Sequence, residues 1–136
     1  MLLAIDTATE WVGLALYDGD CLRSEIGWRT RAGHTVELTP SLVRMLARED
    51  TSPQALSAIA ISLGPGSFTG LRIGLSLGKA LAYALGIPLV GIPTLDILAY
   101  SAHRQPFPIC ALIRAGRGRI AAGFYRQGEG WGPKGA

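Results

Sequence analysis

Apolar and polar positions divide the chain into runs of two periods. "LLAIDTA" (Leu2–Ala8) is a short apolar run ending in Asp-Thr, the pattern of a buried strand with a polar tip. "WVGLALYDGD" (Trp11–Asp20) follows after only a tight turn and ends in Asp18-Gly19, a hairpin signal. "CLRSEIGWR" (Cys21–Arg29) then alternates. Leu22, Ser24, Ile26 and Trp28 share one side; Arg23 and Glu25 share the other. Three consecutive antiparallel strands are predicted.

The period then lengthens. Over "HTVELTPSLVRMLARED" the apolar residues Leu38, Leu42, Met45 and Leu46 fall on one helical face. Pro40 allows two starts. With Thr39 as cap it takes the favoured first position; with a start near His34 it sits inside the helix and removes a bond. "SAIAISLGPGS" (Ser57–Ser67) reads as a buried strand running into Gly64-Pro65-Gly66. Ser67 is placed to cap a helix from Phe68 to Leu85, which Gly86 ends. "PLVGIPTL" is a further strand, and "TLDILAYSAH" a short helix capped by Thr94. The order so far is β-β-β-α-β-α-β-α.

After "RQPFP" the pattern restarts. "ICALIRAG" and "RIAAGFYRQG" read as two strands joined by a Gly-Arg-Gly turn, followed by a Gly-rich end without hydrophobic period. The expected architecture is α/β: a complete first domain over residues 1–103, and over 104–136 the truncated beginning of a second copy.

Composition narrows the class. With 136 residues and 49% apolar content, the chain can bury the core of one ordinary domain. Its apolar stretches are interrupted well before the ~18 residues of a membrane span. "MLLAIDTATE" has no basic region before its apolar run, so no signal peptide is expected. Cys21 and Cys110 lack metal-ligand spacing and are expected to be packing residues in a reducing cytoplasm. The net charge of +3 is uneven. Residues 104–136 hold six Lys/Arg against one acid, residues 1–103 seven against nine. No aromatic-plus-basic motif accompanies the basic end, which is read first as a solvated arginine-rich segment.

Three stretches carry candidate chemistry. "DTAT" puts Asp6, Thr7 and Thr9 at a strand tip, either facing a phosphate or satisfying turn backbone groups. "GPGSFTG" offers Gly64, Gly66 and Ser67 at a strand-to-helix junction where backbone N–H groups could cradle an anion; the alternative is a tight turn. It is not a P-loop, because Gly78-Lys79 lies mid-helix and is followed by Ala80. The third is a stripe at step four: Gly70, Gly74, Gly78, Ala82 and Gly86. Three helical glycines cost about 3 kcal/mol relative to alanine. A face without side chains lets another backbone approach closely. The stripe is read as a docking face in preference to internal packing. The two histidines, His34 and His103, form no metal pair and are read as surface or capping groups.

From Gly64 to Asp96 the sequence resembles the TsaB (YeaZ) family. The run Gly-Pro-Gly-Ser-Phe-Thr-Gly-Leu-Arg-Ile-Gly and the later Gly-Ile-Pro-Thr-Leu carry the likeness, with "LLAIDTATE" and "HTVELTP" upstream. It extends over about residues 1–126. The resemblance implies an RNase H-like (actin/Hsp70-like) fold and a role in N6-threonylcarbamoyladenosine modification of tRNA. It implies a non-catalytic, cytoplasmic subunit without cofactor or metal. It implies pairing with the catalytic paralogue TsaD through first-domain helices, homodimers when alone, and a TsaE ATPase in the complex. Contact with tRNA would be indirect at most. The docking residues expected on this basis are Phe68, Gly70, Leu71, Gly74, Leu75, Gly78 and Ala82, with Leu42 and Met45. Arg114 stands where the family often has Asp. A stand-alone actin-like ATPase or small-molecule kinase is the rival reading. A peptidase-related protein ranks last, for want of metal ligands and a nucleophile set.

Overall fold

The computed structural model describes residues 1–30, 34–116 and 118–126. Strands β1 (Leu2–Asp6), β2 (Trp11–Tyr17) and β3 (Leu22–Arg29) form the expected antiparallel meander. Helix α1 (His34–Arg48) is followed by a single 3-10 turn and β4 (Ala58–Ser62). Helix α2 (Phe68–Leu85), β5 (Leu89–Ile92) and α3 (Thr94–Tyr100) follow. The sheet order is β3-β2-β1-β4-β5, with β4 and β5 parallel to β1. This mixed sheet is the RNase H-like arrangement. Strands β6 (Ile109–Arg114) and β7 (Ile120–Tyr125) pair in a second, two-stranded sheet against α3. The Gly-rich end at 128–136, Arg117 and the His34 side chain lie outside the described residues.

Strand alternation builds the core. Leu3 and Ile5 of β1, Leu14 and Leu16 of β2, and Ile59 and Ile61 of β4 point to one face of the sheet. Leu38, Leu42, Met45 and Leu46 of α1 cover it. Pro40 lies inside α1, so the earlier of the two possible starts is the real one. Burial decides this: Leu38 precedes the proline and belongs to the core. At the β2–β3 turn, Asp18 Oδ1 accepts the N–H groups of Cys21 and Asp20. These bonds hold its carboxyl below the ordinary range. Both cysteines are exposed, which corrects the expectation that they pack in the core.

The glycine stripe also requires correction. Gly70, Gly74, Gly78 and Ala82 are the buried positions of α2, and they face the protein's own sheet. A Cβ on Gly74 would collide with the Thr7 hydroxyl, and one on Gly78 would lie 2.9 Å from Ile61 Cγ2. The missing side chains allow α2 to sit directly on β1 and β4. Leu42 and Met45, each 3% exposed, are likewise internal. None of these six residues is available to a partner.

A polar contact joins the second sheet to α3. Tyr125 Oη donates to Asp96 Oδ1 at 2.7 Å. Burial first, and then this bond, push the phenol above its ordinary range. An unfolded tyrosine ionises near pH ~10, whereas the folded one holds its proton to higher pH. The contribution is therefore whole below pH ~10 and is lost as pH rises beyond it. Thermal melts at stepped alkaline pH should show this loss, and Tyr125→Phe should flatten that part of the profile.

Candidate functional site

Two loops singled out in the sequence meet at the C-terminal ends of β1 and β4. In the first, Asp6 Oδ1 accepts the Ala8 N–H at 2.9 Å, closing an Asx turn. The Thr9 hydroxyl accepts the Trp11 N–H at 3.0 Å. The local-turn reading of these two side chains is thus part of their role. Thr7 is different. It is 1% exposed and its N–H donates to Ser62 Oγ at 3.2 Å. It packs behind the loop against Gly74 and cannot face a ligand, which corrects its place among the phosphate-facing residues.

The second loop lies on the first. The Ser67 N–H donates to the Ala8 carbonyl at 2.6 Å. Gly66 sits so close that a Cβ would collide with the same oxygen. Gly64 has φ +106, a conformation favouring glycine, and the Gly64–Pro65 peptide is cis. The Thr94 hydroxyl accepts the Gly64 N–H at 3.1 Å, and the Thr94 N–H donates to Gly64 O at 2.9 Å. Thr94 is therefore not the cap of α3: Pro93 occupies that position. Ser67 does cap α2, accepting the Gly70 N–H at 3.2 Å. Ser67→Ala should lower stability by about 1 kcal/mol, read from chemical denaturation.

These loops form one wall of an open cleft of about 1550 Å³. Asp6, Thr9, Gly64, Gly66 and Ser67 all line it, so the structure brings together five of the six residues read as phosphate-facing. The opposite wall is the β6–β7 turn, which contributes Arg114 and Arg119. Their distance in sequence from "DTAT" and "GPGS" hid this association; the Gly-Arg-Gly turn was the one available signal. Phe68 and Leu71, expected at a partner interface, line the cleft. Leu75 is half-buried against the core. Other outward apolar residues of α1 and α2 are ones the sequence reading missed: Val36 and Val43 of α1 and Tyr83 of α2, the last 91% exposed. Among the described residues, no three His, Cys, Asp or Glu side chains are grouped to hold a metal ion. Among them too, no helix is long and apolar enough to cross a membrane.

Residues 29–131 match the family model described as TsaD: tRNA N6-adenosine threonylcarbamoyltransferase. The chain belongs to this family. Within it, the chain is a TsaB/YeaZ homologue. It is 36% identical over 129 residues to the tRNA threonylcarbamoyladenosine biosynthesis protein TsaB of Bacillus subtilis (strain 168), covering 95% of this chain and 56% of that protein. TsaB of Escherichia coli (strain K12) is 34% identical over 130 residues, covering 94% and 56%. The solved structure of YeaZ from Pseudomonas aeruginosa superposes with a TM-score of 0.89 at 31% identity, covering 99% of this chain and 64% of that one. The chain thus spans a little over half the length of the curated relatives it matches.

Proposed function

We propose that this chain is a non-catalytic, cytoplasmic subunit in the N6-threonylcarbamoyladenosine modification of tRNA, docking on a TsaD-like catalytic paralogue. The observation that carries the reading is similarity to TsaB proteins along nearly the whole chain, joined to a matching fold. In this reading β6 and β7 open a second domain similar to the first. A TsaE-like ATPase would join the complex, and a homodimer would form where TsaD is absent. Docking is assigned to the outer face of α1 and α2, where Val36, Val43 and Tyr83 are exposed. Large exposed apolar side chains on adjacent helices suit a helix-to-helix interface.

Light scattering during size exclusion tests this, for the chain alone and mixed with its TsaD. A one-to-one complex that displaces any homodimer is expected. A folded chain that forms no complex would remove the scaffold role. A second reading, a stand-alone actin-like ATPase or kinase, is favoured by the cleft, which Asp6 lines together with Arg114 and Arg119. ATP turnover by the isolated chain would support it; none is expected.

A further inference from the structure

The cleft combines two features that the sequence keeps apart. Trp11 and Phe68, 59% and 68% exposed, are aromatic side chains on its lining. Arg114 and Arg119 line it too, both exposed, and neither pairs with a carboxylate among the described residues. Trp11 starts β2 and Phe68 starts α2, while the arginines flank the turn between β6 and β7. Only the fold places them around one opening. Arg72, outside that lining, lies over one face of the Phe68 ring, its guanidinium 3.8 Å from the ring centre. The acids nearby are already engaged: Glu10 pairs with Arg29 at 2.9 Å, and Asp6 closes its turn.

We propose that this cleft binds single-stranded RNA, with Trp11 and Phe68 as stacking surfaces for bases and Arg114 and Arg119 on the phosphates. Aromatic faces accept any base, and unpaired bases are the ones free to stack. Arginine forks match phosphate oxygens in pairs, which a point-charged lysine does not. The segment from 104 onward carries five arginines and one lysine against one acid, so its charge complements a polyanion. The choice of RNA over DNA rests on the proposed role in tRNA modification; the chemistry of stacking and phosphate pairing does not. Direct contact of this kind differs from the expectation that tRNA is reached only through partners.

The test uses the chain alone, so that its outcome is separate from docking on TsaD. Binding of a fluorescein-labelled, unmodified tRNA transcript is followed by anisotropy at stepped salt. Competitors are a single-stranded RNA oligonucleotide, a blunt RNA duplex, ADP and phosphatidylserine vesicles. Competition by the single strand and not by the duplex, ADP or vesicles is expected. Arg114→Gln with Arg119→Gln should reduce the log–log salt slope by about 1.4, two phosphates at ~0.7 each. Trp11→Ala should weaken binding about tenfold with the slope unchanged, the signature of lost stacking. Arg44→Gln with Arg48→Gln on α1 removes the same charge elsewhere and should leave binding intact. Equal losses in the two double variants would overturn the proposal in favour of diffuse charge. So would absence of tRNA binding, or displacement by ADP or by vesicles. Complex formation with TsaD in any of these cases would leave the scaffold role standing.

Discussion

Gly74→Leu should unfold the protein or lower its Tm by at least about 10 °C, a loss of about 3 kcal/mol or more. The new side chain would start inside the Thr7 hydroxyl, with Thr7 Cβ and Cγ2 at 3.3 Å from its first carbon. Thr7 cannot step aside, since it is fully buried and its N–H is held by Ser62. Gly78→Ala provides the contrast. Its Cβ would meet Leu89 Cδ1, the end of a flexible side chain, at 3.2 Å and the branch methyl Ile61 Cγ2 at 2.9 Å, a smaller overlap than the one with the Thr7 hydroxyl. Alanine also gains about 1 kcal/mol of helix propensity over glycine. Gly74→Ala should therefore be clearly more damaging than Gly78→Ala in circular-dichroism melts. A Gly74→Leu protein with unchanged Tm that had lost only its partner would restore the stripe as a docking face.

Tyr83→Asp combined with Val43→Asp should do the reverse. Both side chains are exposed and leave the core untouched. Stability should stay within about 0.5 kcal/mol of the parent for each surface substitution. Pairing with TsaD should weaken at least about 30-fold, the effect of losing one aromatic anchor worth about 2 kcal/mol. The measurement is the mass of the mixture across a dilution series. Undiminished pairing would move the interface off the outer face of α1 and α2.

Much of the fold was legible because its determinants are local. Alternation at Ser24, Ile26 and Trp28 set the face of β3, and the apolar period set the buried side of α1. Ser67 and Gly86 act at the ends of α2 as their chemistry indicates, the glycine at φ +66. What was not legible depends on partners distant in sequence. A step-four stripe states that Gly70, Gly74 and Gly78 share a face, but close approach to one's own sheet and to another chain write the same pattern. Thr7 decides between them, and it lies far up the chain. Thr94 resembles a cap locally, yet its hydroxyl is spent on Gly64 in another loop. Arg114 and Arg119 fall in the two strand runs of the sequence, and only the position of the β6–β7 hairpin makes them a wall of the cleft.

Strand β1 is the seam of the sheet, antiparallel to β2 on one side and parallel to β4 on the other. Its two sides have different histories. The β1–β2 pairing closes through a tight turn, while Leu2 meets Ala58 only after α1 has been made. Closing the longer loop costs more chain entropy, and non-local parallel pairing forms slowly. A chain emerging from the ribosome can therefore assemble the meander early and hold half of β1 open until β4 arrives. During that interval the free edge of β1 is a template for any passing strand, and chaperone demand should fall on this stage of synthesis.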